Sequence, residues 1–98
     1  MASIISGTIT VTSAGTAVRF TTVLTPLRSI EIYAIGGNTG DVYVGDSSVD
    51  NTDIPTVKGN GFSLLFRSTK DETPGDLSDL YLDAANTGDK IAFRAITL

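Results

Sequence analysis

Asn38-Thr39-Gly40-Asp41 returns as Asn86-Thr87-Gly88-Asp89, 48 positions later in a chain of 98 residues. The match continues upstream without a gap. Tyr33 falls on Tyr81, Ile32 on Leu80, Thr25-Pro26 on Thr73-Pro74, and Arg19 with Thr21 on Arg67 with Thr69. Between 18–44 and 66–92 there are nine identities in 27 positions. We read this as two similar β-units folded on each other. Such a duplication describes a scaffold, and no chemistry accompanies it.

Around the repeat, apolar residues alternate with period two, the signature of strands. Residues 7–12 place Ile9 and Val11 on one face and three threonines on the other, which suits the pleat because Thr is β-branched. A second strand is expected over 16–24, with Val18, Phe20, Thr22 and Leu24 sharing a face until Thr25-Pro26 ends it. A third runs over about 28–35, with Ile30, Ile32 and Ala34 together, and 41–45 returns after the turn at 36–40. A polar loop covers 46–53, a short extended piece 54–57, and Lys58-Gly59-Asn60-Gly61 turns into a strand at 62–67. The stretch 68–79 reads as a loop with room for one helical turn at 76–79, followed by strands at 80–84 and 90–98. Each Asn-Thr-Gly-Asp is expected to be a hairpin loop with Gly in the left-handed position. The chain therefore predicts a single all-β domain over 1–98, an antiparallel β-sandwich or jelly roll of about eight strands with two pseudo-repeated halves. Strand order is not legible, so both architectures stay open.

Composition removes several function classes. There is no Cys, hence no disulfide framework and no thiolate nucleophile, and no His, the usual general base and zinc ligand. Eleven acidic residues against seven basic ones give a net charge of −4, which repels a phosphate backbone, so no nucleic-acid partner is expected. Met1 to Ile9 lacks the basic run and apolar stretch of a signal peptide. No segment approaches the roughly 20 apolar residues of a membrane span. The expectation is a soluble acidic protein, made in a cytoplasm or released from one, and without a membrane partner.

The remaining polar groups each have a functional and a structural reading. Asp46, Asp50 and Asp53 share one loop, and Asp71, Glu72, Asp76 and Asp79 another; Asp-rich loops can bind calcium, but the spacing fits no EF-hand, and solvated loop charge is the expected state. Ser47-Ser48 is not a nucleophile elbow, and no His could activate it. A carboxylate pair for glycoside hydrolysis needs a cleft that so small a chain can hardly build. The repeated turns could be anion nests of backbone N–H groups, with the hairpin reading preferred. Tyr33, Tyr43 and Tyr81 are the candidates for exposed contact, although Tyr33 and Tyr81 are equivalent in the repeat, which favours a role in the fold. Residues 7–12 and the tail Ile96-Thr97-Leu98 are either buried against another subunit or ordinary first and last strands. No residue is assigned a catalytic, metal-binding or cofactor-binding role, no cofactor is expected, and the chain is not expected to be an enzyme.

Three stretches together, Ser29-Ile30-Glu31-Ile32, Asn38 to Ser47 (NTGDVYVGDS) and Asp76 to Ala84 (DLSDLYLDA), resemble a pattern of small tailed-bacteriophage proteins. The resemblance covers about 7–92 and departs over 58–75, where a Pro-Gly-Glu turn is replaced by Lys58-Gly59-Asn60-Gly61 and a longer loop. It implies a virion component, chiefly a head decoration or cement protein. Such a protein would bind the major capsid protein lattice as a homo-oligomer, dimer or trimer. It implies localisation in the virion after synthesis in the bacterial host cytoplasm, and it supplies no catalytic residue. The alternative is a tail or fibre module that recognises host-surface carbohydrate or joins tail components.

Overall fold

The computed structural model describes residues 3–66 and 75–98. Eight strands are present: β1 (Ile4–Thr10), β2 (Val18–Arg19), β3 (Leu27–Ala34), β4 (Val42–Gly45), β5 (Pro55–Thr56), β6 (Gly61–Leu65), β7 (Tyr81–Ala84) and β8 (Lys90–Thr97). A 3-10 turn, Leu77–Asp79, precedes β7. The first sheet has the order β1-β8-β3-β6 and the second β2-β7-β4-β5, each with antiparallel neighbours. The pairs β1·β8, β2·β7, β3·β6 and β4·β5 are those of one long hairpin, progressively folded back along its length. Rolling that hairpin up adds β3·β8 and β4·β7 and splits it into two sheets. This is the jelly-roll order, so it decides between the two architectures that the sequence left open.

The core lies between the sheets. Ile30, Ile32 and Ala34 of β3 point inward as expected, joined by Leu27, Val42, Leu82, Ile91 and Ala95. Gly7 sits opposite Phe93 in the ladder, and a Cβ there would come within 3.0 Å of the ring. The missing side chain leaves space for Phe93, whose ring tilts against Phe20 at 5.8 Å between centroids.

Two strand expectations need correction. Over 16–24 only Val18–Arg19 joins a ladder, and Leu24 is exposed instead of sharing the face of Phe20. Side chains take over the backbone there. Thr21 Oγ1 accepts from Val23 N–H, and Thr25 Oγ1 donates to the Val23 carbonyl, which closes local turns in place of strand pairing. At the N-terminus β1 begins at Ile4, because Ile4 has a partner in Ile96, and it ends at Thr10. Val11 still donates to Asp89 O and accepts from Gly88 N, which keeps it in the core. The stretch 76–79, read as loop with room for one helical turn, holds the 3-10 turn. The expectations for 67–74, including the repeat identities Arg67, Thr69, Thr73 and Pro74 and the acidic Asp71 and Glu72, lie outside the described residues.

The repeated turns are not hairpin loops. Residues 35–41 carry the chain from β3 in the first sheet to β4 in the second, and 85–89 carry it from β7 back to β8. Both are arches between sheets. The repeat therefore maps the β3·β8 pair onto β7·β4 and one sheet onto the other. It does so one residue out of step. An unbroken repeat would copy Ala34↔Ile91 as Leu82↔Tyr43, whereas Leu82 pairs with Val44. Gly88 takes a positive φ of 93° as expected, but Gly40 does not.

Candidate functional site

The two arches lock together. Thr39 N and Gly40 N donate to Asp89 Oδ1 and Oδ2 at 2.8 and 2.9 Å. Asn38 donates through Nδ2 to Lys90 O and accepts at Oδ1 from Lys90 N, at 2.8 and 2.9 Å. Asn38 and Asp89 are both buried. The first Asn-Thr-Gly-Asp does form a nest of N–H groups, and its anion is the carboxylate of the second copy. That nest is filled from within and has no vacancy for a ligand.

The acidic loop over 46–53 is organised by its own carboxylates. Asp46 Oδ1 accepts from Ser48 N and Ser48 Oγ, Asp50 Oδ1 accepts from Thr52 N and Oγ1, and Asp53 Oδ2 accepts from Asp50 N. The Ser48 hydroxyl and N–H hold Asp46 below the usual carboxylate range, and those of Thr52 do the same for Asp50. Among the described residues no group of three acidic side chains is gathered as a cation would need.

This loop also covers the second sheet. Outward from that sheet point Tyr43, Gly45, Tyr81, Asp83 and Arg19, yet Tyr43 and Asp83 are buried. Val49 packs on Gly45, and Gly15 N donates to Asp83 Oδ1 at 2.9 Å. Ala14, Gly15, Asp50, Asn51 and Asp83 line one depression above the sheet. The loops before β2 and after β4 thus roof its outer face. Tyr81 is half-buried with Arg19 over its ring at 5.8 Å.

No loop roofs the first sheet among the described residues. Three rows of outward side chains cross all four strands, read from β1 through β8 and β3 to β6, with Thr10 and Lys90 paired beyond them. The rows are Ile4–Ile96–Ser29–Leu65, Ser6–Arg94–Glu31–Ser63 and Thr8–Ala92–Tyr33–Gly61. Ile4 is 71% exposed and Leu65 72%. Arg94 and Glu31 pair at 2.9 Å in the middle of the face, both exposed. A shallow depression of about 380 Å³ lies between Tyr33 and that ion pair. So Tyr33 and Tyr81, equivalent in the repeat, have different surroundings, and of the three tyrosines Tyr33 alone is well exposed.

Among the described residues, a second opening lies where the edge strands β5 and β6 leave the sandwich unsealed. Val44, Pro55, Phe62, Leu64 and Leu80 line an apolar cleft of about 500 Å³. Ile54, 87% exposed, and Val57 flank it. Sequence reasoning misses this cleft. Its one signal is a pair of β-branched residues, Ile54 and Val57, isolated in a polar stretch. The tail, which reads either as a surface for another subunit or as an ordinary last strand, supplies the end of β8 and places Ile96 on this bare face.

Among the described residues, fold and surfaces together define a small jelly-roll domain with one roofed sheet, one bare sheet and an apolar edge cleft. No helix is long and apolar enough to cross a membrane among the described residues. Comparison with protein-family models, curated proteins and solved structures finds no match.

Proposed function

We propose that this chain is a structural virion protein that decorates or cements a phage head by binding the major capsid protein lattice. The observation that carries this reading is the apolar cleft between β5 and β6, with Ile54 and Val57 at its rim. Exposed branched side chains at a sheet edge are a docking feature: a partner segment gains apolar contact and free strand hydrogen bonds at once. The resemblance of Asn38–Ser47 and Asp76–Ala84 to small tailed-phage proteins supports the same reading. Net negative charge keeps free copies soluble, and attachment repeated over a lattice needs little affinity per copy. The protein belongs, on this reading, to the virion after synthesis in the host cytoplasm, and it is not an enzyme.

A tail or fibre module for host carbohydrate is the second reading. It is favoured by Tyr33 standing beside Arg94 and Glu31 at the depression on the bare sheet.

Quantitative mass spectrometry of particles from the source phage tests the first reading. Hundreds of copies per particle are expected, along with loss of attachment to stripped heads by Ile54→Asp. A few copies would move the chain to the tail, and absence would remove it from the virion.

A further inference from the structure

The bare face of the first sheet is complementary to itself, and we propose that two copies of this chain dimerise through it, strand over strand, about a twofold axis. The axis runs parallel to the strands, between β8 and β3. This inference does not depend on the virion reading, because it rests on the face alone.

Turning the sheet over about that axis reverses its strand order, so β8 lies over β3 of the other copy and β1 over β6. The registers then fix what meets what. Arg94 faces Glu31 and Glu31 faces Arg94, each the outward residue at the same level of its strand. Ala92 faces Tyr33, so the smallest outward side chain of the central strands receives the largest. Ile96 faces Ser29, again large on small. Ile4 faces Leu65, bringing together the two most exposed apolar side chains of the sheet. Ser6 faces Ser63. Every contact repeats with the copies exchanged, as a twofold interface requires.

The other in-plane axis, across the strands, sets Arg94 over Arg94 and Glu31 over Glu31. Charge therefore selects the first arrangement. Facing strands then share a common axis, β8 running antiparallel to β3 of the other copy, which is the aligned mode of sheet packing, and its twist of about 30° keeps the central strands β8 and β3 in register.

The long-range charge permits the encounter. The chain carries eleven acidic residues, but Glu31 is the one acid in the four strands of this sheet, and Arg94 already pairs with it. The acidic loop 46–53 lies on the opposite, roofed side. Four strands about 4.8 Å apart and about 23 Å long cover several hundred Å² per copy, at the small end of specific interfaces. The dimer is accordingly weak, with a dissociation constant of about 1–100 µM.

Sedimentation velocity of the full chain from about 1 µM to 1 mM is the test. We expect a concentration-dependent monomer–dimer equilibrium. Arg94→Glu and Glu31→Arg should each weaken it at least about tenfold, because each sets like charges face to face. Mixing the two variants should restore dimers, since the paired acids of the Arg94→Glu copy then meet the paired bases of the Glu31→Arg copy. Leu65→Lys should weaken self-association without touching the ion pair, with circular dichroism showing all variants folded. A monomer at every concentration would overturn the proposal, as would dimers indifferent to these changes or a mixture that stays monomeric. Glycan binding at Tyr33 by a strictly monomeric protein would assign the face to carbohydrate instead.

Discussion

The side-chain amide of Asn38 pairs with the backbone of Lys90 as a neighbouring strand would, donating to its carbonyl at 2.8 Å and accepting from its N–H at 2.9 Å. Lys90 opens β8, so this amide starts the ladder that β3 then continues. Asn86 holds the matching place in the repeat, yet its side chain makes no hydrogen bond among the described residues. The register slips by one residue between β3·β8 and β7·β4, and the Asn86 amide lies beside Gly40 instead.

Asn38→Ala should therefore cost about 2–3 kcal/mol, because it strips two bonds and strands buried polar groups. Asn86→Ala should stay within about 0.5 kcal/mol. Urea unfolding of both variants checks the contrast. Equal losses would mean that the two turns are equivalent after all.

The turn glycines should differ in the opposite way. Gly88 has a φ of 93°, so Gly88→Ala should cost about 1–2 kcal/mol. Gly40 has no positive φ, and a Cβ there would be too close only to the Asn86 amide nitrogen, at 2.6 Å, with Ala85 Cβ at an ordinary 3.7 Å. That amide can swing away, so Gly40→Ala should cost less than about 1 kcal/mol and nothing when Asn86→Ala accompanies it. Thermal melts of the two singles and the double variant provide the readout.

These turns also mark how far the sequence could be read. Alternation over β3 and β8, and the Gly- and Asn-rich breaks, made eight strands legible. Ile30, Ile32 and Ala34 went to the core as their spacing indicated. What the pattern could not carry was which sheet each strand joins. A hairpin and an arch use the same Gly and Asn chemistry, and only long-range pairing distinguishes them. The short β2 escaped for a related reason: Thr21 and Thr25 look like strand residues, but their hydroxyls close turns on the backbone instead. The surfaces were less legible still. Tyr33 and Tyr43 look alike in sequence, and it is the loop 46–53 folding over one sheet that buries the second and leaves the first in solvent.

That loop makes the tyrosines separable by mutation. Tyr43 is buried beneath the roof, so Tyr43→Ala should destabilise by about 2–4 kcal/mol. Tyr33 is 46% exposed, and Tyr33→Ala should cost less than about 1 kcal/mol while weakening self-association. Chemical denaturation measures the first effect and sedimentation the second. A large folding defect in Tyr33→Ala would place that ring in the fold instead of the interface.

Acid should loosen the molecule at Asp76. Its carboxylate accepts from Thr25 N at 2.9 Å, from Ser78 N at 2.9 Å and from Ser78 Oγ at 2.7 Å, tying the loop before β3 to the 3-10 turn. Burial pushes its pKa up, but these hydrogen bonds and the nearby Arg19 charge outweigh that and leave it below the ordinary value of 3.8. A carboxylate with a depressed folded pKa binds its proton more readily when unfolded. Its contribution is thus complete above the ordinary value and disappears as pH falls through the lower folded one. Melting temperature should accordingly be flat near neutrality and fall below about pH 4. Asp76→Asn should be less stable at pH 7 and lose less on acidification, so the two curves converge at low pH. Parallel curves would show that other carboxylates, Asp46 and Asp50 among them, carry the acid response.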